Sequence, residues 1–311
     1  MTIMQTEQPI PGSPVTTRRR KSLAALQKLV SQLSRAADER RAEGRYDIAE
    51  PLYLRALELA ELFCGCEDVA ALCNNLAALY KYMGRFDEAE RFYLRALPLM
   101  EQSLGAEHPE IATLYHNLGG LEHARGRFVA GEPLARRSVE IRERALGPHH
   151  PDVAADIAAL AGILDGQGKR EEAESLYRRA LAIFECNYEP EHYEIAVNLN
   201  NLAALKYAQG HYYEAEQLYR RALAIKEKLL TAEHPDVAMT LNNLAALCKA
   251  QGRYPEAESL YRRALASFER SFGPDHLKVI TCRNNYASLL RLTSSENNHV
   301  GAGFIRHVTI K

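Results

Sequence analysis

The chain has 311 residues, 39 Lys and Arg against 40 Asp and Glu, a formal net charge of −1 and 47% hydrophobic residues. That apolar content is ample for a packed core, while the balanced charge excludes a protein that grips nucleic acid by bulk electrostatics. No stretch approaches the ~20 apolar residues of a membrane span. The six cysteines (Cys64, Cys66, Cys73, Cys186, Cys248, Cys282) do not form a disulfide framework, which points to a reducing, cytoplasmic setting.

In chain order, residues 1–21 are rich in Thr and Pro and end in Arg18-Arg19-Arg20-Lys21. They hold no apolar run, so a disordered segment is expected there rather than a signal peptide. A first helix pair is expected over 22–63, on the strength of "GRYDIAEPLYLRAL" from Gly44 to Leu57. Cys64-Gly65-Cys66 and Cys73 follow, without the second ligand pair that a metal site needs. From there a period of 42 residues takes over. His108, His150, His192, His234 and His276 mark it, as do Gly84, Gly126, Gly168, Gly210 and Gly252. A fixed period of this size predicts a stack of repeats, at 68–104, 110–146, 152–188, 194–230 and 236–272. A helix over 277–292 would close the stack, and 293–311 loses the periodicity and reads as a flexible tail.

Residues 236–272 illustrate one unit. Pro235 and Asp236 suit the first turn of a helix. Val237, Leu241, Leu244, Ala245 and Cys248 then fall on one helical stripe, and Gly252 ends the helix in a left-handed cap. A second helix from Tyr254 carries Ala257, Leu260, Tyr261, Ala264, Leu265 and Phe268 on one face. The small alanines allow close approach, and Tyr261 fills the space between the helices. Neither helix buries its stripe alone, so stacking must. Pro98, inside "RALPLMEQ", removes a backbone donor and predicts a kink or an early break. Pro51 and Pro133 lie nearer helix starts and should be tolerated.

The run Gly252-Arg253-Tyr254-x-Glu256-Ala257-Glu258-x-Leu260-Tyr261-Arg262-Arg263-Ala264-Leu265 resembles the tetratricopeptide repeat. The 42-residue period, Leu241-Asn242-Asn243-Leu244-Ala245 and the Leu146-Gly147-Pro148 linker are similar to the kinesin light chain subclass. The resemblance covers about 22–292. It implies an all-α fold, a right-handed α-solenoid of twelve to thirteen antiparallel helices. It also implies that the first helix of each pair lines a concave groove.

The adjacent amides Asn242 and Asn243 are the unusual feature of an otherwise apolar helix. On a wheel of 100° per residue, Asn242 lies outside the apolar stripe beside Met239, Ala246 and Lys249, whereas Asn243 lies closer to the packed surface. With the groove that the resemblance implies, the Asn242 series (Asn74, His116, Ala158, Asn200, Asn242, Asn284) faces a ligand. One turn on come only small residues, Ala78, Gly120, Gly162, Ala204, Ala246 and Ser288. Next come Lys81, His123, Asp165, Tyr207, Lys249 and Arg291. Amides supply a donor and an acceptor for an extended backbone, and cations favour acids. The peptide-binding candidates are therefore Asn74, His116, Asn200, Tyr207, Asn242, Lys249, Asn284 and Arg291. The Asn243 series is expected to be architectural, and Ala158, Ala159 and Asp165 to divide the groove in two.

The periodic histidines are expected to cap helices rather than bind metal, since a solenoid translates equivalent residues apart while ligands must converge. Glu174, Glu216 and Glu258 precede Arg178, Arg220 and Arg262 by four residues, an exposed helical pairing. No phosphate loop, paired catalytic carboxylate or zinc-protease element occurs. The expected function is a non-enzymatic scaffold, without metal or cofactor, binding an extended acidic segment of a protein or peptide partner. The alternative is a self-assembly module, and an RNA-binding helical repeat ranks third. A monomer or weak homo-oligomer is expected, with no nucleic acid and no membrane partner.

Overall fold

The computed structural model describes the backbone of residues 14–304 and the side chains of 23–294. Among the described residues it contains thirteen α-helices and no strands. The chain divides between Pro148 and His149 into two compact units. The first holds α1 (Pro14–Ala42), α2 (Tyr46–Phe63), α3 (Cys66–Tyr82), α4 (Phe86–Leu104), α5 (Pro109–Ala124) and α6 (Phe128–Leu146). The second holds α7 (Pro151–Gly166), α8 (Arg170–Asn187), α9 (Tyr193–Ala208), α10 (Tyr212–Leu229), α11 (Pro235–Ala250), α12 (Tyr254–Phe272) and α13 (Leu277–Phe304). Each odd helix pairs with the even helix after it, and each pair stacks on the next within its unit. This is the all-α solenoid expected. Helices α1 and α13 run beyond the 22–292 limits read from the repeat. The flexibility expected of the chain ends falls in part on residues 1–13 and 305–311, which lie outside the described residues.

Both ends of the odd helices are set by local chemistry. At α5, α7, α9, α11 and α13 the residue before the helix is one of the periodic histidines. Its Nδ1 accepts the backbone N–H two residues on: Glu110 to His108 at 3.3 Å, Asp152 to His150 at 3.1 Å, Glu194 to His192 at 3.3 Å, Asp236 to His234 at 3.1 Å and Lys278 to His276 at 3.2 Å. This satisfies one of the four N–H groups that a helix start leaves without a partner. Replacing His234 with Ala should cost about 1 kcal/mol in thermal or urea unfolding, and Asp in its place should restore most of the loss. At the other end of α11, Arg253 N–H donates to Cys248 O at 2.9 Å and Gly252 N–H to Lys249 O at 3.1 Å. Gly252 sits at φ 77°, the left-handed value this closure requires.

The seam between paired helices is Ala–Tyr–Ala in most repeats. Ala257, Tyr261 and Ala264 are buried, as are Ala215, Tyr219 and Ala222, and Ala89, Tyr93 and Ala96. The α5–α6 pair departs from this, with Gly131, Ala135 and Ser138 at the same positions and Gly119 opposite. A methyl group on Gly119 would lie 3.4 Å from Ala135 N and 3.5 Å from Gly131 O. The ring is replaced there by small residues packed on both helices.

Helix α4 continues without interruption through Pro98 to Leu104, so the early break expected there does not occur. The ring of Pro98 is exposed, and so is Leu94, whose carbonyl loses its usual donor. Water can satisfy that carbonyl, which removes most of the penalty. Pro51 and Pro133 are also exposed, inside continuous helices.

Candidate functional site

Helix α3 touches α5, α7 touches α9, and α11 touches both α9 and α13, while successive even helices do not approach comparably. The odd helices therefore lie on the inner side of the local curvature, and their outer turns form the candidate binding face.

Charged side chains lock neighbouring repeats behind that face. Glu50 of α2 meets Arg85 at 2.8 Å, and Glu90 of α4 meets Arg125 at 2.7 Å. In the second unit Glu174 of α8 meets Lys206 at 2.7 Å, and Glu216 of α10 meets Arg253 at 2.9 Å. The helical pairs read from the spacing are also formed, at 3.0 Å for Glu174–Arg178 and 2.6 Å for Glu216–Arg220. These glutamates are not simply a solvated face, because the same carboxylates reach the next repeat. Burial works against the charge of Glu174. Hydrogen bonds from Lys206, Arg178 and Gln209 outweigh it and hold the carboxyl down at about 2. Glu216 is likewise held below the usual carboxylate range, with burial opposed by Arg253 and Arg220.

The amide pairs form relays between repeats. Asn117 Nδ2 donates to Asn74 Oδ1 at 2.8 Å, and Asn285 Nδ2 donates to Asn242 Oδ1 at 3.3 Å. Within their helices Asn74 and Asn242 donate to Asn75 and Asn243 at 3.5 and 3.4 Å. The groove series and the architectural series are thus two ends of the same bond. Helix α7 has Ala158 and Ala159 here and takes no part.

The small positions one turn on also differ from the open floor that their size suggests. Lys249 Nζ of α11 reaches Ser288 Oγ of α13 at 2.8 Å. In the first unit Lys81 Nζ lies 2.9 Å from where a Cβ on Gly120 would sit. Glycine or serine at these points seats the cation of the preceding repeat. Burial lowers the affinity of Lys81 for its proton.

The eight candidates therefore sit in different surroundings. Asn200 is 7% exposed and its Oδ1 accepts from Thr240 Oγ1 at 3.2 Å, so its side chain is enclosed between repeats. Asn74, His116, Asn242, Lys249 and Tyr207 are half-buried, and the Tyr207 ring lies 5.8 Å from that of Tyr212. Asn284 and Arg291 are exposed on α13. The candidates of the second unit become more accessible from α9 to α13. Helix α9 is covered by Thr240 of α11, whereas α13 has no following pair among the described residues. Sequence reasoning missed Lys206 and Thr240. Both are buried polar residues in otherwise apolar helices, and that contrast was the available signal. No group of three or more His, Cys, Asp or Glu is arranged to hold a metal among the described residues. No described helix is long and apolar enough to cross a membrane.

Helix hairpins joined by Ala–Tyr–Ala seams and stacked with their first helices inward define a helical-repeat scaffold. The chain belongs to the tetratricopeptide repeat family, whose model matches residues 27–102, 68–129, 110–185, 194–270 and 236–295. Kinesin-light-chain-like structures are among its structural neighbours. The chain is similar to BtubC (BKLC) from P. vanneervenii, with 26% identity over 80% of this chain and 93% of that one and a TM-score of 0.57. It is similar to a Podospora anserina putative kinesin light chain of nearly identical repeats, with 26% identity, coverage of 64% and 95%, and a TM-score of 0.51. A Rap protein complexed with Competence and Sporulation Factor shares the fold, at 18% identity, 89% coverage of both chains and a TM-score of 0.54. No match is found among curated protein sequences. The family is generally one of protein-interaction scaffolds.

Proposed function

We propose that this chain is a non-enzymatic, cytoplasmic scaffold that binds an extended, acidic segment of a partner protein along the odd-helix face of its second unit. The observation that carries this reading is the pair Asn284 and Arg291. Both are exposed and stand two turns apart on α13, and their side chains have no hydrogen-bond or carboxylate partner among the described residues. An amide and a guanidinium at that spacing suit a peptide backbone and a nearby carboxylate. Lys249 adds a second cation within reach of α13 through Ser288. Support by analogy comes from the Rap protein, a neighbour of the same fold whose structure is a complex with Competence and Sporulation Factor. Ordering a flexible segment opposes binding, so micromolar affinity is expected, about −8 kcal/mol.

The test is a fluorescence-anisotropy screen of extended peptides graded from neutral to acid-rich. Acid-rich peptides should bind best, and weaken with added salt. Asn284→Ala with Arg291→Ala should weaken binding at least tenfold while leaving the melting temperature unchanged. Equal binding by parent and double variant would overturn the assignment. A second reading, self-assembly through the end of the stack, is favoured by Leu277, Ile280 and Leu290, which are exposed on α13 at 73%, 40% and 40%. Light scattering over a concentration series separates the two. A rising mass favours assembly, and a constant monomer mass favours peptide binding.

A further inference from the structure

The joint between α2 and α3 differs from every later joint between repeats. Only Cys64 and Gly65 separate these helices, whereas residues 105–108 join α4 to α5 and residues 188–192 join α8 to α9. The capping histidine is missing here, and Gly65 offers α3 no side-chain cap. The shortened joint borders a cavity of about 430 Å³, lined by Cys64 and Cys66 together with Val69, Leu99, Arg95 and Glu61. Cys64 and Gly65 are both extended, at φ −114°, ψ 173° and φ −80°, ψ 172°. Alternate residues of an extended segment point to the same side, which directs both thiols at one space. An extended Gly65 sets the two Cα atoms roughly 6.6 Å apart at 3.3 Å per residue, at the long end of the ~4.4–6.8 Å range of a disulfide. Glycine between them gives the freedom to shorten it.

We propose that Cys64 and Cys66 form a redox-active dithiol, oxidised to an intramolecular disulfide by a small disulfide such as glutathione disulfide. Cys66 is exposed and is the sulfur that such a molecule meets first. Cys64 is partly covered, and burial together with Asp68 keeps its thiol above the usual range. The Cys66 thiolate attacks one sulfur of the reagent and releases one glutathione thiolate. The Cys64 thiolate then attacks Cys66 Sγ in the mixed disulfide and releases the second. The protein loses two electrons and two protons, and one glutathione disulfide becomes two glutathione thiols. Cys73, Cys248 and Cys282 are buried and take no part. Closing the ring draws Gly65 out of its extended state and so loosens the uncapped first turn of α3.

The test uses the full chain carrying Cys186→Ser, which removes the other exposed thiol. It is equilibrated in mixtures of reduced and oxidised glutathione, quenched in acid and alkylated. Intact mass should show a loss of two hydrogens, mapped to the peptide containing residues 64 to 66. Cys66→Ser should abolish that loss. Amide exchange in residues 67–70 should be faster in the oxidised form. Glutathione adducts without any two-hydrogen loss, or a loss that persists in Cys66→Ser, would overturn the dithiol. Unchanged exchange in the oxidised form would overturn its coupling to α3.

Discussion

Replacing Tyr261 with Ala should destabilise the second unit by about 3–5 kcal/mol, the cost of emptying a large aromatic site in a packed interior. Tyr261 is 1% exposed and stands between Ala257 and Ala264 in the α11–α12 seam. Its ring also lies 6.1 Å from that of Tyr286 on α13, so the loss extends to the next helix. The α5–α6 pair already lives with Ala135 at this position, with Gly119 and Gly131 packed beside it. Helices α11 and α12 carry buried Ala245 and Ala257 there instead, packed around the ring. The reverse change, Ala135→Tyr, should be no better tolerated, since nothing in α5–α6 leaves room for the ring. Urea denaturation of the two variants checks both. A Tyr261→Ala loss below about 1.5 kcal/mol would mean that the seam relaxes freely.

Glu174→Ala should cost about 3 kcal/mol, the lower end of what breaking a buried pair removes. Lys206 is left 5% exposed with Glu214, at 3.3 Å and itself half in solvent, as its one remaining carboxylate, and the His211 ring at 3.5 Å. Lys206→Met in the same background should recover most of the loss, because the uncompensated charge is the penalty. The pair also carries a pH signature. The Glu174 carboxyl is held at about 2 in the folded chain, against ~4.3 in an unfolded one. The unfolded state therefore takes up the proton first. The stabilisation is complete above the unfolded value and is lost as pH falls from about 4.3 to about 2. Glu216, shifted in the same direction, adds to this. Glu174→Gln should flatten the acid limb of the stability profile. An unchanged limb would show that the carboxyl titrates normally.

The helices were legible because Gly252, Pro235 and the Val237–Cys248 stripe each act over one or two turns. The histidine caps were legible for the same reason, since His234 needs only the backbone two residues on. The face of α11 was harder. A helical wheel separates Asn242 from Asn243 by direction, but the bond that matters joins Asn242 to Asn285, 43 residues away. Asn200 and Asn284 occupy equivalent places on their wheels, and only the helix that follows decides that one is enclosed and the other open. Pro98 misled for a related reason. Its cost depends on whether the Leu94 carbonyl can reach water, which composition does not record.

The cross-repeat ion pairs have a consequence for how such a chain can change its length. Glu174 finds Lys206 and Gln209, and Glu216 finds Arg253, each in the repeat that follows. Excising residues 194–235 would bring Gln251 and Arg253 to the places that Gln209 and His211 hold in the repeat after Glu174. The carboxylate would meet an amide and a cation again, and Tyr219 would give way to Tyr261 in the seam. A gene that gains or drops one whole module therefore inherits working junctions on both sides. Recombination between similar segments can lengthen or shorten the array in a single step, and the product does not have to wait for compensating point mutations to fold.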